Sequence, residues 1–116
     1  MTDYRLEVDE KQATELVKAG ADVYIFWRDA SDIEFVQETL HAAPGTVHDI
    51  DMSEAGKILM NLGNEGEMRQ AGKEYEGSVI VCPHGNTSKR FAEALKALGI
   101  RAYSLRKGVA GLKERA

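Results

Sequence analysis

SVIVCPHGNTSKRFAEALKAL, residues 78–98, decides the architecture. Ser78 to Cys82 form an apolar, largely β-branched run without polar alternation. Such a run predicts a strand covered on both faces. Ser88 then opens a helical pattern over 88–98, with Phe91, Leu95 and Leu98 inward and Lys89, Arg90, Glu93 and Lys96 outward. Gly99 stops it. Between strand and helix lies a short loop, Pro83-His84-Gly85-Asn86-Thr87. A strand, a tight glycine-bearing loop and a helix start make an anion-binding construction. The loop amides and the helix N-terminus point at one spot, and the helix dipole favours negative charge there. Cys82 falls at that spot. A cysteine so placed is expected to ionise more readily than a free thiol, and the same donors suit a persulfide anion. Gly85 permits a turn that a side chain would obstruct. Thr87 and Ser88 supply hydroxyls and cap the helix. His84 and Lys89 supply positive charge. By position alone, a lone cysteine ending an apolar strand is most often a small buried hydrophobe. The loop and helix beside it argue for chemistry.

Outward from this segment the chain alternates strand and helix. Tyr4–Val8 reads as a short strand, and Asp9 with Gln12 forms a capping box for a helix presenting Ala13, Leu16 and Val17 and ending at Gly20. Val23–Trp27 (VYIFW) is a second strand of the buried type. Ser31 and Glu34 suggest another capping box, followed by the stripe Ile33, Val36 and Leu40. Pro44-Gly45 is a turn, and Thr46–Met52 a less apolar strand nearer an edge. Ser53 caps a helix bearing Ala55, Ile58, Leu59 and Leu62, which Gly63-Asn64 breaks. Met68, Ala71 and Tyr75 suggest a further short helix. Arg101–Leu105 is the last strand, and Val109–Arg115 a terminal turn or helix. Five strands alternating with helices predict an α/β protein: a three-layer α/β/α arrangement with a five-stranded, mostly parallel sheet. Ligands in such sheets sit at the carboxyl ends of the strands.

The 116 residues predict a single domain, 1–116. Hydrophobic content of 43% and charged content of 29% are ordinary for a globular protein, and no apolar run reaches the length of a membrane span. The acidic, polar start MTDYRLEVDE resembles neither a signal nor a transit peptide, and one cysteine rules out an internal disulfide. A cytoplasmic location is the expectation. Residues 1–76 carry 7 Lys/Arg against 17 Asp/Glu, and residues 77–116 carry 8 against 2. The split suits an anionic ligand near the C-terminal part, self-association, or simply two solvated edges of opposite sign. Basic residues without interleaved aromatics argue against nucleic acid as a partner. His41 and His48 lie on a turn and a strand with no cysteine near, which argues against a metal. Asp49 and Asp51 read as the solvent face of the third strand.

Val81-Cys82-Pro83-His84-Gly85-Asn86-Thr87-Ser88 resembles the active-site loop of the rhodanese family, Cys-x-x-Gly-x-Arg/Thr followed by a small residue. Arg28-Asp29 after the second strand, His41–Gly45, Leu98-Gly99-Ile100, Tyr103-Ser104-Leu105 and Gly108–Leu112 resemble further landmarks in the family's order, so the likeness covers roughly residues 4–112. It implies a rhodanese-like domain acting as a sulfurtransferase. Cys82 would take sulfane sulfur from thiosulfate or a low-molecular-weight persulfide or polysulfide, then pass it to a thiol, cyanide or protein acceptor. His84, Gly85, Asn86, Thr87, Ser88 and Lys89 would form the anion-binding loop. No metal or organic cofactor is implied, nor a nucleic-acid or membrane partner. The chain departs from the family at four places. Pro83 stands where many loops carry Arg, Phe26 where an Asp precedes the second landmark, Lys107 for the first glycine of the tail pair, and Leu112 for its Trp.

Two other readings compete. A phosphatase or arsenate reductase would need Arg six residues after the cysteine, to fork onto an oxyanion, and that position is Ser88. A rhodanese-like module that binds a protein partner with little turnover fits the missing Arg; the retained Cys82 and its intact loop oppose it.

Overall fold

The structure, a computed structural model, describes residues 5–26 and 30–114, with the backbone alone at 30 and 31. Five strands are β1 (Glu7–Val8), β2 (Val23–Ile25), β3 (Val47–Asp49), β4 (Val79–Val81) and β5 (Tyr103–Leu105). Six helices are α1 (Glu10–Lys18), α2 (Ala30–Thr39), α3 (Met52–Leu59), α4 (Glu65–Gly72), α5 (Asn86–Ala97) and α6 (Gly108–Glu114), and a 3-10 turn spans Lys73–Tyr75. All four strand pairings are parallel, in the order β1-β5-β4-β2-β3. The less apolar β3 is an edge strand, as its composition suggests. Among the described residues no helix is long and apolar enough to cross a membrane.

The pleat sorts the strand residues onto two faces. Tyr24, Phe26, Ile80 and Cys82 pack with Ala55 and Ile58 of α3, Met68 of α4 and Phe91 and Leu95 of α5. Val23, Ile25, Val79, Val81 and Leu105 pack with Ala13 of α1, Val36 and Leu40, and Val109 and Leu112 of α6. The three-layer α/β/α architecture follows, since both faces of the central strands are apolar and need a cover. Edge-to-face rings tie the first layer together: Tyr24–Tyr75 at 4.8 Å, Tyr75–Phe91 at 5.0 Å and Phe26–Phe91 at 5.3 Å between centroids.

Several element starts differ from the sequence expectation. The Asp9–Gln12 capping box is present, with Gln12 N–H donating to Asp9 at 2.8 Å and Asp9 N–H to Gln12 at 3.0 Å. For α3 the cap is Asp51 rather than Ser53. The Ser53 amide and hydroxyl both donate to the Asp51 carboxylate, at 2.9 and 2.8 Å, and hold its carboxyl below the usual range. Asp51 therefore caps a helix instead of continuing β3. Helix α2 begins at Ala30, so Ser31 lies inside its first turn. Helix α5 begins at Asn86, two residues ahead of the expected start at Ser88. The expected ends at Tyr4, Trp27 and Arg115, and the Arg28-Asp29 landmark, lie outside the described residues.

Candidate active site

The strand order puts β4 at the centre of the sheet, and its chain leaves directly into Cys82. Gly85 ends the loop in the left-handed region, φ +89°, and serves as N-cap of α5 with no side-chain capping bond. That turn aims amides back at the strand end. Gly85 N–H donates to Cys82 Sγ at 3.1 Å and Ser88 N–H at 3.3 Å. Ser88 N–H belongs to the first helical turn, which lacks acceptors within the helix, so the sulfur occupies the place of a capping group. The neutral thiol donates in turn to Ser88 Oγ at 3.3 Å. Ser88 Oγ is also 3.3 Å from Gly85 O and 2.7 Å from Ser104 Oγ on β5.

Of the loop residues named from sequence, Gly85 and Ser88 hold the sulfur. His84 and Asn86 are exposed, and Thr87 is half-buried. Lys89 is exposed and its ammonium lies 3.7 Å from Glu7 Oε1, over β1. Cys82 itself is only 2% exposed, with Phe26, Ile80 and Phe91 in its core cluster. The sulfur is thus covered on one side by apolar groups and bonded on the other by the loop amides.

Two contributions were hidden from sequence reasoning. One is Ser104, whose link to Ser88 exists only because β5 lies beside β4. The other is the turn from β5 into α6, which clamps the loop. Val109 N–H donates to Cys82 O at 3.0 Å and Ala110 N–H to Pro83 O at 2.9 Å. The fit is backbone on backbone: a Cβ on Gly85 would lie 2.7 Å from Lys107 N, and a Cβ on Gly108 would overlap Cys82 O. The close-packed glycines of the tail were the available signal. Lys107 sits at φ +64°, a left-handed conformation that explains why a glycine suits this position. Lys107→Gly is therefore expected to stabilise the protein by about 0.5–1 kcal/mol, raising the thermal midpoint by a few degrees. An unchanged or lower midpoint would show that the lysine side chain compensates the strain.

A cleft of about 180 Å³ opens beside the loop, lined by Ile25, Phe26, Pro83, His84, Val109 and, at its rim, the Asp32–Lys113 ion pair at 3.2 Å. Helix α2, following β2, lies on one face of the sheet, and α5, following β4, on the other. The cleft therefore marks the switch point between oppositely wound connections, where open α/β sheets bind ligands. A larger cleft, about 390 Å³, lies away from the cysteine against Asp9, Arg106 and Leu112. Among the described residues no group of three His, Cys, Asp or Glu side chains is placed to hold a metal ion. His41 is a left-handed turn residue, and His48 stacks on Tyr24 at 4.9 Å.

No known family profile matches the sequence, and no curated protein is similar to it. The solved structure of a rhodanese-related protein from Thermoplasma volcanium superposes with a TM-score of 0.57 at 19% identity, covering 97% of this chain and 94% of that one. The chain has the fold of a rhodanese-like domain, a five-stranded parallel sheet between two helical layers.

Proposed function

We propose that the protein is a rhodanese-type sulfurtransferase in which Cys82 carries sulfane sulfur as a persulfide. The observation behind this reading is the convergence of the Gly85 and Ser88 amides on Cys82 Sγ. In the first half-reaction the Cys82 thiolate attacks the outer sulfur of a donor such as thiosulfate, a persulfide or a polysulfide. The donor's S–S bond breaks, and sulfite or a thiolate leaves with the bonding electrons. In the second, an acceptor thiolate or cyanide attacks the outer sulfur of the persulfide, and the Cys82 thiolate leaves. This is covalent catalysis by an activated nucleophile. The two amides serve both steps, because each hydrogen bond to a charged sulfur contributes roughly 1.5–3 kcal/mol. The donor approaches through the switch-point cleft, whose apolar walls suit an organic persulfide. Thiosulfate, a dianion, would gain most from an arginine where the loop has Pro83.

Burial of Cys82 supports a second reading, a partner-binding module with little turnover. Mass spectrometry separates the two. Protein incubated with thiosulfate, glutathione persulfide or polysulfide is expected to gain the mass of one sulfur on Cys82, removable by cyanide with release of thiocyanate. If none of the three donors loads Cys82, the binding module is the better description.

A further inference from the structure

We infer that Ser104 is a positioning residue for the sulfur, acting through Ser88 as the second hydroxyl of a chain that ends on Cys82 Sγ. This deepens the sulfur-carrier reading and rests on it. Ile80 of β4 pairs with Ser104 of β5, which puts the Ser104 side chain on the face of the sheet that α5 covers. Ser88 and Ser104 are both fully buried, and their 2.7 Å contact is the shortest in the cluster.

Ser88 Oγ has one proton and three polar neighbours: Cys82 Sγ, Gly85 O and Ser104 Oγ. With Cys82 neutral, the thiol donates to Ser88 Oγ, and the Ser88 proton can go to Gly85 O. When the thiol proton leaves to solvent base, the sulfur turns from donor into acceptor. The Ser88 hydroxyl then rotates its proton onto the sulfur, and its vacated lone pair accepts the Ser104 proton. Both serines stay neutral; they only reorient. Serial hydroxyls polarise one another, so the Ser88 proton is a better donor with Ser104 behind it. The anion thereby gains a third donor besides the two amides. This donor comes from side chains, in a loop where Pro83 stands in place of the family's arginine and has no N–H.

The ionisable groups around the cluster do not replace this role. His84, Lys89 and Arg90 on the loop and α5, and Arg106 and Lys107 on the β5–α6 turn, are exposed. From the aromatic side, burial raises Tyr24 and Tyr75 above the usual tyrosine range, so both stay neutral near pH 7.

Cys82 is the only cysteine, so alkylation reports on it alone. Iodoacetamide rates are measured against pH for wild type, Ser104→Ala, Ser104→Val, Ser88→Ala and the Ser88→Ala/Ser104→Ala pair. The two Ser104 variants change volume in opposite senses but both delete the hydroxyl. Each is expected to move the profile to higher pH and slow alkylation below its midpoint about 3- to 10-fold. In the Ser88→Ala background, Ser104→Ala should add nothing. A buried serine that merely fills space would alter the melting temperature and leave the profile where it was. An unmoved profile in whichever Ser104 variant folds overturns the inference, as does a full Ser104→Ala effect without Ser88. Persulfide loading is followed separately by mass. Shifted profiles with no loading from any donor sink the carrier reading alone; normal loading with unmoved profiles sinks the hydroxyl chain alone.

Discussion

On the proposed sulfur-carrier reading, Cys82→Ser will bring sulfur transfer down to the level of a protein-free blank while the protein still melts cooperatively. The chemistry forces the first half. Serine has no sulfur to carry as a persulfide, and its hydroxyl stays protonated in the range where the thiolate forms. No other cysteine exists to take over. The second half follows from the geometry, since a hydroxyl can accept from the Gly85 and Ser88 amides as Sγ does. The cost is the polar group set against Phe26 and Phe91, about 1–2 kcal/mol and a fall of several degrees in melting temperature. Cyanolysis and the intact mass after donor treatment check the first half; thermal denaturation checks the second. Sulfur loading retained by the folded variant would remove Cys82 from its role. A variant that fails to fold would show that the sulfur holds the loop together, beyond what two amide bonds explain.

The parts of this architecture that a reader of the sequence can see are those written in local pattern. Val79, Ile80 and Val81 declare a doubly covered strand, and all three are fully buried. Asp9 and Gln12 declare a cap because both partners lie within one turn. Asn86 and Thr87 look like loop, so the local pattern predicts α5 only from Ser88, two residues inside its true start. The left-handed Gly85 lets the helix begin at once, without a capping side chain. At α3 both Asp51 and Ser53 are good cap residues, and nothing local says that the hydroxyl of one will donate to the carboxylate of the other. The site divides in the same way. The Gly85 and Ser88 amides follow from a strand–loop–helix pattern, whereas for Lys89 only proximity in sequence suggests a place in the loop. It points instead to Glu7, on a strand far away in the chain. Ser104 and the α6 clamp depend on β5 lying beside β4, and pairing order is a property of the assembled sheet rather than of any window of residues.

That clamp sets the second large expectation: Gly108→Ala will cost about 3–5 kcal/mol and lower the thermal midpoint by at least about 10 °C. Gly108 has φ +59°, so alanine there carries left-handed strain of roughly 1–2 kcal/mol before any contact is counted. The contacts add the rest. The new Cβ would overlap Cys82 O and lie 2.8 Å from Gly85 N and 2.9 Å from Pro83 C, all backbone atoms that no rotamer change can move aside. Relief requires the β5–α6 turn to back away, which breaks the bonds from Val109 N–H to Cys82 O and from Ala110 N–H to Pro83 O. Gly20→Ala is the matching control, because Gly20 also has positive φ, +105°, but has nothing within 4 Å of the position its Cβ would take. It isolates the strain, at about 1–2 kcal/mol. The difference between the two variants is the weight of the clamp. Equal melting temperatures would mean that the turn yields freely and that the loop carrying Cys82 holds its shape without it.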